Sequence, residues 1–356
     1  MILDGPENDM DVTPPTASPP KRVLFICGSA NQTTQMQQIA AAMPEVEAWF
    51  APYITDGVAD FMLRAGWGEF TIGGNRWRKA CLERLTEARV SIDESGKLHD
   101  YALIVSCSDL FVPKVALHKP GVLVQEGMTD PEDFMFGLIK RFPFVPRWLA
   151  GTAATGLSDW YVRFCVASEG FKDLYVRRGA RAEKLVVTGI PNFDDCSRHL
   201  DNDFPHRGYV LVCSSDSRET LKPHDRRAFI ARALEVARGR PLYFKLHPNE
   251  KVERAVREIH EQAPGALVFT SGKAEPMIAN CEALVTEYSS TAFVGLALGK
   301  EVHSAFDLAD LKRLLPVQHG AAARHIAEVC REVLRAGSSA GLGGAARALA
   351  KGEMAA

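Results

Sequence analysis

Three adjacent hydroxyl residues, Ser289, Ser290 and Thr291, follow directly on an apolar run (ALVTEY), and His247-Pro248 closes another (PLYFKL) upstream. Short apolar runs alternating with helical patterns predict βαβ units and a parallel sheet. In such sheets ligands bind beyond the carboxyl ends of the strands. A helix starting at Ser289 offers hydroxyls, free backbone N–H groups and a positive dipole end, which together suit a phosphate. Capping alone would use one hydroxyl and leave the others over. At His247 the following proline stops the strand, so the imidazole is placed at the sheet rim. There it can donate to a phosphate oxygen; a histidine satisfied within its own loop is the plain alternative.

A carboxylate stands at the end of a third buried run, PGVLVQEG, where Glu126 precedes Gly127. Glycine lets another backbone approach closely, and a carboxylate at a strand rim is a candidate general base. The alternative is a hydrogen-bonded glutamate that supports the following loop. Ser214 and Ser215 follow the run GYVLVC and give a second place for phosphate contacts. Ser168-Glu169-Gly170 and Thr188-Gly189-Ile190-Pro191-Asn192 read as structural turns. Residues 138–150 (LIKRFPFVPRWLA) mix cations with Phe, Trp and Pro. A packed loop with snorkelling Lys and Arg is the simpler reading, and an interfacial patch facing a lipid-linked acceptor is the other.

These residues need a scaffold, and 356 residues exceed one ordinary core, so two domains are expected. A hydrophobic content of 46% is enough to build both. The formal net charge of −2, with no long basic run, argues against nucleic acid as a partner. Eight scattered cysteines with no CxxC pair read as reduced thiols in a cytoplasmic protein, not as disulfides or a zinc site. No apolar run is long enough to span a membrane, and no signal-peptide pattern is seen.

Along the chain, residues 1–20 are acidic, Pro/Thr-rich and aperiodic, which predicts a disordered tail. KRVLFICGS then gives a first strand, and NQTTQMQQIAAAM a helix opened by Asn31. VEAWFAP, YALIVSCSD, PGVLVQEG and EKLVVTG supply further strands of a first domain over 21–195. Residues 196–207 are polar and read as a linker. GYVLVCSSDS restarts the alternation, giving a second domain over 208–335. The Gly/Ala-rich segment 336–356 reads as a tail or a loosely docked helix. The fold class expected is α/β, with two Rossmann-like doubly wound domains facing across a cleft. A GxGxxG fingerprint is missing, so a dinucleotide cofactor is not expected.

Taken together, these motifs resemble the GT-B superfamily of nucleotide-sugar enzymes. Lys245-Leu246-His247-Pro248 is similar to the HP motif of bacterial sialyltransferases, Kdo transferases and capsule or teichoic-acid transferases. Thr286-Glu287-Tyr288-Ser289-Ser290 is similar to the TDYSS run of the glycerophosphotransferases. Gln125-Glu126-Gly127 is similar to an acidic pair followed by glycine, with the first acid replaced. The resemblance implies that His247, Pro248, Ser289, Ser290 and Thr291 hold the donor phosphate, with Ser214 and Ser215 beside them. It places base recognition in the loop of Ser271, Gly272, Glu275 and Met277, and acceptor binding at Gly28, Ser29 and Gly127. Glu126 would deprotonate the acceptor hydroxyl without a metal or cofactor. Losing the paired acid to Gln125 removes one reason for a raised Glu126 pKa.

The implied activity is a metal-independent glycosyltransferase, or a glycerophosphotransferase-like enzyme, building a surface polysaccharide or glycoconjugate from a CMP-, CDP- or UDP-linked donor. The enzyme would work in the cytoplasm, with peripheral membrane contact through 138–150. VTGIPNFDD and VLVQEGMTDPED are also similar to stretches of UDP-N-acetylglucosamine 2-epimerases, a second reading. Against it, Val212-Cys213-Ser214-Ser215-Asp216 stands where those enzymes carry a histidine motif, and their ribose-binding glutamate falls near Val294. A GT-B-like binder without chemistry is the third.

Overall fold

The computed structural model describes residues 19–57, 60, 63, 74–142, 144–215, 217–219 and 224–339, and most of both expected tails lies outside them. Seven parallel strands form the first sheet: β1 Arg22–Ile26, β2 Glu47–Ala51, β3 Ser91–Ile92, β4 Leu103–Ser106, β5 Gly121–Val124, β6 Arg163–Val166 and β7 Leu185–Val187. Their spatial order is β3-β2-β1-β4-β5-β6-β7. The second sheet holds β8 Val210–Cys213, β9 Leu242–Lys245, β10 Leu267–Phe269, β11 Ala283–Thr286 and β12 Glu301–His303 in the order β10-β9-β8-β11-β12. All pairings are parallel. β4, β5, β8 and β11 are buried along their whole length, as strands covered by helices on both faces must be.

Strand order reverses between β1 and β4 in the first sheet and between β8 and β11 in the second. Those two switch points are where an open α/β sheet leaves a crevice for a ligand. The segments Cys27–Ser29 and Cys213–Ser215 leave the first strand of each.

The helices are α1 Ala30–Ala41, α2 Asn75–Glu87, α3 Phe134–Arg141, α4 Glu169–Arg178, α5 Arg226–Ala237, α6 Val252–Gln262, α7 Ala274–Asn280, α8 Thr291–Ala297, α9 Leu308–Leu314 and α10 Ala322–Ser339. Side chains of Ser29, Asp133, Ser168, Asp225 and Asp307 accept from the first-turn amides of α1, α3, α4, α5 and α9. Ser29, not Asn31, therefore opens the first helix. Gly179 closes α4 at φ 115°, a left-handed conformation that glycine adopts freely. After β5 come α3 and a 3-10 stretch, Arg147–Ala154, broken at Gly151.

One apolar cluster runs through both halves, joining Leu123, Phe164, Phe171 and Tyr175 to Tyr209, Leu211, Leu284, Phe293 and Leu314. Phe171 and Phe293 meet edge to face with centroids 5.9 Å apart. Ser168 Oγ donates to the Leu314 carbonyl (3.2 Å), and the Val317 amide donates to the Ala167 carbonyl (3.0 Å). Residues 196–207 are folded too: Cys196–His199 forms a 3-10 turn, and Phe204 packs on Tyr209 and Phe269.

The chain's last described helix returns to its beginning. Sequence order groups 322–335 with the second domain, but Ile326, Val329, Cys330 and Val333 of α10 are buried against Val23, Phe25 and Val105 of the first sheet. Lys21 donates to the Leu334 carbonyl (2.8 Å), and Arg331 pairs with Glu45 (2.7 Å). A strongly one-sided apolar stripe says that a helix packs, not on which sheet.

Candidate active site at the facing strand ends

Glu126 follows β5 by two residues and lies beside the turn that leaves β1. Ser29 Oγ donates to its Oε1 (2.7 Å) and Gln32 Nε2 donates to its Oε2 (2.6 Å). Ser29 serves twice, since its oxygen also caps α1 through the Gln32 amide (3.2 Å). Burial pushes the Glu126 carboxyl above the ordinary carboxylate range, while the Gln32 and Ser29 hydrogen bonds pull against that rise. The raised basicity thus has a source that needs no second acid at position 125. Gln125 is a brace: its Nε2 donates to the Gly127 carbonyl (2.8 Å) and its Oε1 accepts the Ala167 amide (2.9 Å). An ionised carboxylate could not make the first of these bonds.

Gly127 is where the two halves touch. A Cβ added there would meet Ser290 Oγ at 2.7 Å, and the Met128 amide donates to that same oxygen (2.9 Å). The close approach that the glycine suggested is therefore made by the serine turn of the opposite domain. Ser290 Oγ thus serves the domain contact as an acceptor, and its own proton is left to donate. α8 begins at Thr291 and runs seven residues, two residues later than the expected start. Ser289 Oγ accepts from the Thr291 amide (3.3 Å) and from Thr291 Oγ1 (2.9 Å). The Ser289 and Ser290 protons are what this turn has to donate to a ligand oxygen.

Behind the turn lies a polar cluster at the β8/β11 switch point. Ser215 Oγ donates to Glu287 Oε2 (2.9 Å), and His224 Nδ1 lies 3.0 Å from the same carboxylate. Burial opposes the charge on Glu287, but the His224 and Ser215 hydrogen bonds and the Arg226 charge outweigh it and hold the carboxyl below its usual range. Neither Glu287 nor His224 was singled out from sequence, although Glu287 sits inside the TEYSS run. Ser214 is buried; its hydroxyl donates to Glu250 and accepts the His247 amide (3.1 Å). Arg226 pairs with the other oxygen of Glu250. Ser214 is thus a strut beneath His247 and not an open phosphate ligand.

His247 itself follows β9 by two residues, half-buried, and precedes exposed Pro248. Its Nδ1 accepts the Asn249 amide (3.2 Å), so the neutral ring carries its proton on Nε2. Asn249 Oδ1 in turn accepts from Arg76 of the first domain (3.4 Å). Ser271 and Gly272 follow β10 on the same rim, both exposed, with Gly272 at φ 84°. Glu275 is half-buried in the first turn of α7. Met277 departs from expectation: its side chain is buried in the shared core, and its carbonyl accepts the Tyr209 hydroxyl (2.6 Å). Gly28 is buried under the Ser29 turn. On the first domain's side, Asn192 Nδ2 donates to the Asn31 carbonyl (3.0 Å), which ties the Gly-Ile-Pro-Asn turn to α1.

The arrangement brings together a hydrogen-bonded, weakly acidic carboxylate on one sheet and a hydroxyl-and-imidazole rim on the other. It can accept a proton on one side and neutralise oxyanion charge on the other. Burial makes the protonation state of Glu126 testable. A base must be ionised, so activity is expected to rise with pH through the Glu126 pKa. Gln32→Leu removes a donor that favours the carboxylate, so the acidic limb of kcat/KM should move to higher pH. A limb that stays in place would show that Glu126 does not set it.

No family model matches the chain, and no curated protein does. Among solved structures it is similar to the UDP-GlcNAc 2-epimerase from Neisseria meningitidis bound to UDP-GlcNAc, with a TM-score of 0.54 at 10% identity, covering 87% of this chain and 100% of that one. The Methanocaldococcus jannaschii UDP-GlcNAc 2-epimerase in complex with UDP-GlcNAc and UDP gives 0.53 at 11%, over 87% and 99%. The wall teichoic acid polymerase TagF, soaked with CDPG, gives 0.51 at 12%, over 89% of each chain. At such identities the likeness is one of fold, and that fold is GT-B-like: two Rossmann-like domains with parallel sheets.

Proposed function

We propose that this chain transfers a glycosyl group, or a glycerophosphoryl group, from a nucleotide-activated donor to a hydroxyl acceptor. The observation that carries the reading is the junction at Gly127, where the loop of a buried, doubly hydrogen-bonded carboxylate rests on the serine turn of the opposite sheet. Donor and acceptor must meet where base and anion-binding rim converge. Glu126 would take the acceptor's hydroxyl proton as its oxygen attacks the anomeric carbon (or phosphorus). The bond to the nucleotide phosphate breaks, and the charge left on that phosphate faces His247 and the Ser289 hydroxyl. Fold neighbours whose structures hold UDP-GlcNAc or CDPG support a nucleotide-linked donor.

An epimerase fits less well. The position where a ribose-binding carboxylate would be sought, Val294, is buried in the shared core beside Phe293. A nucleotide panel in calorimetry tests the site. CMP, CDP or UDP is expected to bind, and His247→Ala to weaken it by about ten- to a hundredfold, the worth of one charge-assisted hydrogen bond. Free nucleotide released only with acceptor supports transfer. Sugar interconversion without acceptor would move the reading to an epimerase, and binding with neither reaction to a non-catalytic binder.

A further inference from the structure

The segment 138–150 is not the packed loop that its composition favoured. Phe134 and Phe144 are 81% and 83% exposed, the most of any large apolar side chains among the described residues, and Phe142, Trp148 and Leu149 are exposed with them. All five lie on α3, the turn after it and the start of the 3-10 stretch. Isolated exposed apolar residues are ordinary, but a contiguous aromatic group of this size is a mark of an interaction surface. Beneath it the support is firm: Phe136, Ile139, Ala150, Ala153 and Ala154 form a buried cluster of their own. The exposed rings are thus presented by a packed base.

The charges around the rings point to the partner. Lys140 and Arg141 are exposed in the last turn of α3, and Lys140 Nζ reaches the Arg178 carbonyl (2.7 Å), which brings exposed Arg177 at the end of α4 alongside. The neighbouring acids each have a partner, although Glu132 and Asp133 are exposed. Asp133 accepts the Phe136 amide (2.8 Å), Glu132 pairs with Arg178 (3.4 Å), and Asp130 accepts from Thr152 (2.8 Å). Phe and Trp flanked by exposed cations match the boundary between acyl chains and anionic headgroups.

We propose that this surface seats the protein on an anionic lipid bilayer, with Phe134, Phe142, Phe144 and Trp148 entering the interface and Lys140 and Arg141 meeting headgroup phosphates. No helix among the described residues is long and apolar enough to cross a membrane, so attachment is to one face. The patch adjoins the loop of Glu126 through Asp130 and Thr152, so an acceptor held in that bilayer would lie on the base's side of the site. The inference does not depend on which group is transferred.

The test is co-sedimentation of the full chain with phosphatidylcholine vesicles, with and without phosphatidylglycerol. Binding is expected with phosphatidylglycerol, falling with salt. The double variant Phe144→Ser/Trp148→Ser should lose it by at least about tenfold, with unchanged melting because both side chains are exposed. Arg141→Glu should weaken binding only to the anionic vesicles. Brominated lipid should quench tryptophan emission in the parent and not in Trp148→Phe. Equal partitioning of parent and double variant would overturn the proposal. So would a parent that stays in solution and dimerises through the patch in sedimentation velocity, which would make a second copy the occupant. Nucleotide binding measured in parallel separates this outcome from failure of the transferase reading.

Discussion

Glu126→Gln is expected to lower acceptor-dependent nucleotide release by about a hundred- to ten-thousandfold, the range ascribed to a positioned general base. The substitution keeps size, removes the ability to take a proton and turns one of the two acceptor oxygens into a donor. Donor affinity should hardly change, because the carboxylate bonds to Ser29 and Gln32 of its own domain and not to the nucleotide rim. The loss should therefore fall on kcat, with the donor's Kd and the melting temperature near the parent's. A full-rate Glu126→Gln enzyme would show that the proton goes elsewhere. Glu287 is then the next carboxylate to test, although His224 and Ser215 already hold it in its ionised form. The two acids are tuned oppositely: burial dominates at Glu126, and partner groups dominate at Glu287. Of the two, only Glu126 has its affinity for a proton raised above that of an ordinary carboxylate.

How much of this was legible beforehand follows from the range of each interaction. Parallel strands and their crossover helices are written locally, as short apolar runs, glycine turns and capping serines. For that reason β1, β4, β5, β8, β9 and β11 fall where the runs fall, and Glu126, His247 and Ser289 fall at their ends. What a residue's side chain does there depends on partners far along the chain. Gln32 could be seen one turn into a helix rich in glutamine, but nothing local says that Gln32 reaches Glu126 while Gln35 reaches the Gln125 carbonyl. Nothing near Ser290 says that its oxygen also receives the amide of Met128, 162 positions away. Met277 and α10 went astray for the same reason. An apolar side chain announces burial without naming the core that receives it.

The contact between the domains gives the second large effect. Gly170 opens α4 against α9 of the other half, and a Cβ there would lie 2.0 Å from the Arg313 carbonyl oxygen and 2.8 Å from its carbon. Backbone on both sides leaves no side chain to swing away, so one segment must move. The carbonyl is fixed by its neighbours: Leu314 O accepts from Ser168, and the Arg313 side chain returns to the Gly170 carbonyl (3.4 Å). Gly170→Ala is therefore expected to cost about 3 kcal/mol, the upper part of the range for overpacking. On a chain of 356 residues, at about 2 cal/mol/K of unfolding entropy per residue, that corresponds to a fall in Tm of roughly 4 °C. Gly137→Ala is the control, because a Cβ at that position within α3 meets nothing within 4 Å and should gain up to about 1 kcal/mol from helix propensity. If the Gly170→Ala protein melts with the parent, the domains slide past each other there without resistance, and the shared Phe171–Phe293 core does not hold their spacing. If it melts low and also loses turnover out of proportion to the folded fraction, the spacing set at Gly170 is what keeps the Gly127 loop against the serine turn.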